Sequence, residues 1–129
     1  MSSKRRLVAR MGVVAALTAT LPLAAATAAY AGTDERITVE GGTVTFTHEG
    51  DYIDAYDLKA DGYCMTAELY INDFHQHSVT ACGYNTYKYK SLSTLNEGTP
   101  VYLRACYTNM NSDGSYTRAQ CSGWQGAHS

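Results

Sequence analysis

Polar and apolar residues alternate with a period of two along most of the chain after residue 31. Residues 43–48 (TVTFTH) show this alternation, and residues 63–71 place Met, Ala, Leu and Ile on one face. Residues 101–106 repeat it. This period is typical of β-strands with one buried face, whereas a long amphipathic helix needs a period of 3.6 residues. No segment after residue 31 has that helical pattern, so we predict strands throughout.

Turn-forming sequences divide these segments at short intervals. They are Gly41-Gly42, Glu49-Gly50, Asp61-Gly62, Asn96-Glu97-Gly98 and Asp113-Gly114. Glycine, asparagine and aspartate favour tight turns because they tolerate the backbone angles that turns require. We therefore predict an all-β fold, a small antiparallel β-sandwich of six to eight short strands. We expect the C-terminal residues 125–129 to be frayed.

The first 31 residues have the three parts of a secretory signal peptide. A basic start is followed by an apolar stretch and by the small-residue site Ala29-Tyr30-Ala31. We predict cleavage after Ala31, with Ala26-Thr27-Ala28 as a second site, so that residues 1–31 are a signal peptide and residues 32–129 a secreted domain. Arg5-Arg6 leaves the twin-arginine route open beside general secretion. We expect an extracellular protein with no stable membrane anchor after cleavage.

Cleavage would change the charge of the protein. Of 10 Lys and Arg residues and 12 Asp and Glu residues, the first 31 residues hold four basic ones and no acidic one. The remaining 98 residues therefore carry 6 basic and 12 acidic side chains, a formal net charge of −6. Nucleic acids and anionic membranes need a basic surface, so we expect neither as a partner.

Four cysteines in an exported chain predict two disulfides. A hairpin that turns at Asp113-Gly114 sets Cys106 opposite Cys121, and a three-residue loop at 72–74 sets Cys64 opposite Cys82. Cys64 and Cys82 both belong to the polar faces of their strands, as a cross-strand bridge requires. A looser loop over residues 111–115 would change the register of the second pair. A zinc site of four cysteines is the weaker alternative, because no two of them are close in sequence.

Several short motifs resemble a group of small secreted actinobacterial proteins that are mostly uncharacterised. The matching pieces are Val44-Thr45-Phe46, Gly50-Asp51, Asp57 with Ala60-Asp61-Gly62, Glu97-Gly98, and Cys106 with Cys121. The resemblance implies a β-sandwich with a late hairpin disulfide, and it carries over no catalytic residue. The chain departs from the group by adding Cys64 and Cys82, which we interpret as an additional disulfide.

Histidines and carboxylates are the candidate metal ligands of this sequence. His75 and His77 share a strand face and could hold a metal if a third ligand such as His48 or Glu68 converged, but exposed histidines are the expectation. An acidic run could bind calcium, although solvated turns are the simpler interpretation. It comprises Glu49, Asp51, Asp54, Asp57 and Asp61. We predict no resident metal and no cofactor.

Tyrosine is the strongest compositional feature, with ten copies after residue 31. Rigid, amphipathic tyrosine rings suit binding surfaces, and they also pack well on half-buried sheets. We predict a possible binding surface from seven of them: Tyr52, Tyr56, Tyr84, Tyr87, Tyr89, Tyr102 and Tyr107. Trp124 is expected to cover one end of the core.

We expect a non-catalytic extracellular binding module for a protein or a polysaccharide. One alternative is an inhibitor of a secreted hydrolase that inserts a disulfide-braced loop, residues 73–77 or 109–115, into a cleft. Another is a small ribonuclease-like enzyme using Glu68, Arg104 and His75. A flat face of exposed tyrosines favours the module, a protruding loop the inhibitor, and a converging Glu/His/Arg cleft the enzyme.

Overall fold

The computed structural model describes residues 32–71, 75–93 and 95–129. The predicted signal peptide and the predicted loop at residues 72–74 lie outside the described residues. The strands are β1 Glu35–Val39, β2 Gly42–Thr47, β3 Tyr52–Asp57, β4 Cys64–Ile71, β5 His75–Cys82, β6 Thr86–Ser91, β7 Pro100–Met110, β8 Tyr116–Cys121 and β9 Gln125–His128. Nothing in these three ranges forms a helix long and apolar enough to cross a membrane.

The strands form two antiparallel sheets. The first sheet has the order β1-β2-β3-β6, and the second has the order β5-β4-β7-β8, with β9 also paired to β7. The predicted all-β sandwich is therefore confirmed, with nine strands in the described residues instead of six to eight. The expectation of a frayed C-terminus is wrong, because residues 125–128 pair with β7 and Ala127 is buried.

The core lies between the two sheets and follows the period-two pattern. Val44, Phe46 and Ile53 from the first sheet and Leu69 and Leu103 from the second have no solvent-exposed surface. Alternate residues of the same strands face outward, since successive side chains in a strand point to opposite faces. Each sheet therefore offers one outer face on which polar and aromatic side chains collect.

Both disulfides form as predicted. Cys64 bonds to Cys82 and Cys106 to Cys121, and the described cysteines include no free thiol. In each pair the two cysteines are direct partners in the register, with Cα atoms 4.3 Å and 4.1 Å apart. These distances match the close spacing of non-hydrogen-bonded antiparallel pairs. Both bridges lie on the outer face of the second sheet and tie an edge strand to its inner neighbour.

The β7–β8 hairpin has the looser loop that the sequence left open, and not a tight turn at Asp113-Gly114. Met110 pairs with Tyr116, so the loop has five residues, 111–115. The register shifts between the Thr108–Arg118 pair and the Tyr107–Gln120 pair. This shift leaves Ala119 as one extra residue on β8. This β-bulge restores the alignment of Cys106 with Cys121. It also allows Arg118 and Cys121, three residues apart, to face the same side.

Candidate binding surface

Four of the seven predicted tyrosines lie together on the outer face of the first sheet. Tyr52 and Tyr56 belong to β3, and Tyr87 and Tyr89 belong to the neighbouring edge strand β6. The register pairs Tyr56 with Tyr87 and sets Tyr89 opposite Asp54, so all four rings face the same side. We call these four residues the tyrosine surface.

The rings of the tyrosine surface contact one another in a continuous array. Tyr87 and Tyr89 stack with ring centroids 6.3 Å apart and an interplanar angle of 28°. Tyr52 meets Tyr89 edge-on at 6.5 Å, and Tyr56 meets Tyr87 edge-on at 6.2 Å. Such offset and edge contacts hold aromatic rings in fixed orientations. Tyr87 and Tyr89 nevertheless remain 51% and 66% exposed, so the array presents ring faces to solvent.

A shallow depression opens at one end of the tyrosine surface. It encloses about 390 Å³ and is lined by Gly50, Tyr52, Tyr87, Tyr89 and Ser91. Gly50 has φ +94° and Asp51 has φ 47°, so the β2–β3 turn bends sharply beside the rings. The Asp51 carboxylate fixes this turn by accepting a 2.7 Å hydrogen bond from the backbone N–H of Leu95. The depression therefore has a rigid rim and an aromatic wall.

Asp54 is the carboxylate within the tyrosine surface. Burial raises its pKa above the ordinary value, while a hydrogen bond from Thr45 and the positive charge of Arg36 partly oppose this increase. The pKa of Tyr87 is also raised, first by burial and then by the negative charge of Asp54. The Tyr87 hydroxyl therefore stays protonated at neutral pH and can donate a hydrogen bond as well as accept one.

Tyr84 lies beside this surface, and Tyr102 and Tyr107 do not join it. Tyr84 is 67% exposed in the β5–β6 turn, next to Asn85, whose side chain accepts a hydrogen bond from the Tyr56 hydroxyl. Tyr102 faces outward from β7 on the opposite sheet. Tyr107 is five residues further along that strand and so faces inward, where its hydroxyl accepts a 2.6 Å hydrogen bond from the Gly41 N–H. The expectation of one seven-tyrosine surface is corrected to four, with a fifth nearby.

The candidate metal ligands lie at separate places. Nδ1 of His48 lies 2.6 Å from Oδ1 of Asp34. His77 lies on β5. The side chain of His75 is outside the described part of the chain. Within residues 32–71, 75–93 and 95–129, no three His, Cys, Asp or Glu side chains are grouped to hold a metal ion.

The carboxylates of the predicted acidic run mostly serve local turns or the sheet surface. Asp57 is buried and accepts a hydrogen bond from the backbone N–H of Lys59, and Asp61 accepts one from that of Tyr63. Asp51 holds the backbone of Leu95, and Asp54 belongs to the tyrosine surface. Glu49 is exposed beside Gly50 in the β2–β3 turn.

Two residues of the ribonuclease-like hypothesis do come together on the outer face of the second sheet. Glu68 accepts a 2.7 Å hydrogen bond from Nε of Arg104, and Arg118 contacts its other oxygen. Arg118 could not be placed on this face from the sequence, because only the bulge at Ala119 brings it there. Trp124 is also placed differently from the expectation, since it packs on Arg104 and Tyr70 of this outer face and does not cover the core.

Comparison of the chain with protein-family models, with curated proteins and with solved structures finds no match.

Proposed function

We propose that the protein is a non-catalytic extracellular binding module that holds a polysaccharide on the tyrosine surface. The array of four mutually packed rings on an open sheet face carries this proposal. Sugar rings offer apolar C–H faces and hydroxyl edges, which match the ring faces and hydroxyls of tyrosine. Because the rings are already fixed by their neighbours, little side-chain entropy is lost on binding.

The size and chemistry of the surface favour a polysaccharide over a protein. A standard protein interface buries about 800 Å² on each partner, whereas four rings in two adjacent strands form a narrow strip. Asp54 can accept hydrogen bonds from sugar hydroxyls, and it already accepts one from the buried Thr45 of the neighbouring strand β2. The net charge of −6 after the predicted cleavage favours a neutral or basic polymer over an acidic one.

Secretion forms part of the same proposal. The signal-peptide pattern of residues 1–31, the resemblance to secreted actinobacterial proteins and the two disulfides support export to an oxidising compartment.

The test is a binding assay of the oxidised residues 32–129 with insoluble cellulose, chitin and purified bacterial cell walls as probes. We expect saturable binding to one of them, and Tyr89→Ala should weaken it by at least about tenfold, as expected for a central aromatic contact. Tyr102→Ala is the matched control, because Tyr102 is an exposed tyrosine on the opposite sheet. It should leave the affinity unchanged.

Two results would contradict the proposal. One is equal weakening by Tyr89→Ala and Tyr102→Ala, which would indicate non-specific adsorption. The other is binding to none of the glycans together with Tyr89-dependent capture of a protein from culture supernatant. That result would assign the tyrosine surface to a protein partner.

The inhibitor hypothesis is a second candidate, supported by the loop of the β7–β8 hairpin. Asp113 accepts hydrogen bonds from the backbone N–H and the hydroxyl of Ser115 at 2.9 and 2.6 Å, and these bonds lower its pKa. Asn111 donates to the Ser115 hydroxyl at 3.0 Å. The exposed loop is thus preorganised, which reduces the entropy lost on entering an enzyme cleft. Inhibition of secreted amylases or proteases by the purified protein would support this candidate.

The environment of Glu68 argues against the enzyme hypothesis. A general base must have a carboxylate oxygen free to take a proton from the substrate. Both oxygens of Glu68 are engaged by arginines, and the side chain is only 4% exposed. This arrangement supports an orienting role for Glu68.

A further inference from the structure

A groove lies on the outer face of the second sheet, on the opposite side of the sandwich from the tyrosine surface. It encloses about 590 Å³, with Glu68 of β4 in its floor and hydroxyl side chains around it. Strand β5 contributes Ser78 and Thr80, and strand β8 contributes Thr117 and Arg118. The groove is polar, so it suits a hydrogen-bonding ligand.

Two arginines converge on the buried Glu68 from different strands. Arg104 of β7 contacts Oε2 through Nε at 2.7 Å and through Nη2 at 2.6 Å. The guanidinium of Arg104 also lies 4.4 Å from the centre of the Trp124 ring. Arg104 therefore bonds to the carboxylate while it packs against the aromatic ring, and its side chain is 21% exposed, against 52% for Arg118. Its role is to hold Glu68 in place.

Arg118 is engaged differently. Its Nε–H bonds to Oε1 of Glu68, while the side chain is 52% exposed and lines the groove. The bond to Glu68 does not use the four terminal N–H donors of the guanidinium. A carboxylate thus orients an arginine whose remaining donors are suited to bidentate binding of an oxyanion. Glu68, Arg104 and Arg118 together carry a net charge of +1 within an acidic protein.

Three threonines in the floor of the groove are joined by hydrogen bonds. The hydroxyl of Thr66 lies 2.8 Å from that of Thr80 and 2.9 Å from that of Thr108. Each of these two hydrogen bonds uses one hydroxyl proton, and the three hydroxyls carry three protons. One of the three hydroxyl protons is therefore not used by these two bonds.

We infer that this groove binds a small oxyanion, a carboxylate or a phosphate group, with Arg118 as its principal contact. The local charge attracts a single negative charge, whereas the acidic remainder of the protein disfavours a polyanion. Acidic sugars carry a carboxylate and phosphorylated ligands carry a phosphate group, so both contain an oxyanion of this kind. The inference is independent of the tyrosine surface, because it concerns the other sheet and other side chains.

The experiment is an NMR titration of the oxidised protein with D-glucuronate and, in parallel, with inorganic phosphate at mildly acidic pH. D-glucose is the neutral control. We expect saturable shifts of the Arg118 Nε–H signal and of the Ser78, Thr80 and Thr117 amides with at least one anion and none with glucose. A response to glucuronate alone identifies an acidic sugar as the source, and a response to phosphate alone identifies a phosphorylated ligand.

Two arginine variants separate a specific site from general charge. Arg118→Gln should weaken anion binding by at least about tenfold, since it removes the charged donor fork. Arg36→Gln removes the same charge from β1 of the first sheet and should change the affinity by less than about twofold. If the NMR spectrum shows that Arg118→Gln is unfolded, Arg118→Lys is used in its place. Lysine keeps the positive charge but lacks the planar guanidinium, so this variant should also bind the anion more weakly than the parent protein. Equal effects of the substitutions at 118 and 36, or no saturation with either anion, would overturn the inference.

Discussion

Asp54 shows how one residue connects the stability of the first sheet to pH. Its neighbours on the outer face are tyrosine rings, and their cover makes the charged carboxylate less favourable than it is in water. The folded-state pKa is therefore raised above the unfolded one. The folded protein holds the Asp54 proton more tightly, so this group lowers the free energy of unfolding as the pH rises from the unfolded pKa through the folded pKa.

Asp54→Asn should remove this pH-dependent decrease in the free energy of unfolding. We expect the variant to be as stable as the parent protein at about pH 3, where Asp54 is protonated in both states. At pH 7 the variant should be more stable, by less than about 1 kcal/mol, because the partly exposed carboxylate is screened by solvent. Urea unfolding at the two pH values measures the difference. Thr45→Val provides the opposite control, since it removes a hydrogen bond that stabilises the charged form and should enlarge the pH effect. A parent–variant difference that does not change with pH would contradict the prediction.

Residue-level prediction from sequence succeeds where one strand decides the outcome. The polar-face positions of the cysteines and the shared face of Tyr52 and Tyr56 follow from the period of two alone. Arg118 could not be found in this way, because its direction depends on the bulge at Ala119. By the same period Tyr107 belongs to the apolar face of Val101, Leu103 and Ala105, so its inward direction was predictable and its place among the outward tyrosines was wrong.

At the scale of elements, the C-terminal strand β9 is the clearest departure from the sequence prediction. Residues 125–128 contain little that favours a strand, and their pairing comes from β7, which offers a free edge where β8 ends. The N–H of Thr33 bonds to the carbonyl of His128 at 2.8 Å, and the N–H of Gly98 bonds to the carbonyl of Ser129 at 2.7 Å. Tertiary contacts therefore override a weak local preference.

Removal of residues 125–129 tests whether β9 contributes to stability. The truncated protein should lose at least about 2 kcal/mol of unfolding free energy, because it loses the pairing with β7 and uncovers core residues beneath Ala127. Gln125→Ala is the control, since this exposed side chain leaves the backbone pairing intact and should change stability by less than about 0.5 kcal/mol. Thermal unfolding of the two variants beside the parent protein measures both effects. An unchanged melting temperature on truncation would mean that the tail is frayed in solution.

The β7–β8 hairpin has the predicted cysteine pairing with the looser of the two loops that the sequence left open. A two-residue turn at Asp113-Gly114 would align Cys106 with Cys121, and so does a five-residue loop followed by one bulged residue. The cysteine pairing is the same in both cases because the disulfide and the sheet face together fix it. Within the five-residue loop, Asn111 and Asp113 form hydrogen bonds with Ser115. Those contacts are three-dimensional and leave no periodic signal.

At the scale of the whole molecule, covalent bracing is confined to one sheet. The two disulfides join β5 to β4 and β8 to β7, and thus tie down two edge strands of the second sheet. The four strands of the first sheet depend on packing and hydrogen bonds alone. Only 14 large aliphatic or phenylalanine side chains follow residue 31, so the core by itself is small. The groove is built on the braced sheet, and the tyrosine surface lies on the unbraced one.

Replacing the two cysteines of one disulfide by alanine should therefore have a global effect and a local one. Loops of 18 and 15 residues are closed by the two bridges, and each replacement should lower the unfolding free energy by about 3 kcal/mol. At temperatures below that of global unfolding, hydrogen exchange should speed up more in β8 than in β5 when Cys106 and Cys121 are both replaced by alanine. Cys64→Ala with Cys82→Ala should show the reverse, because each bridge restrains its own edge strand. The two double variants serve as controls for each other in native-state exchange measured by NMR. An equal loss of protection in all strands would show that the bridges act only on the unfolded chain, and that the edge strands of the second sheet do not open independently.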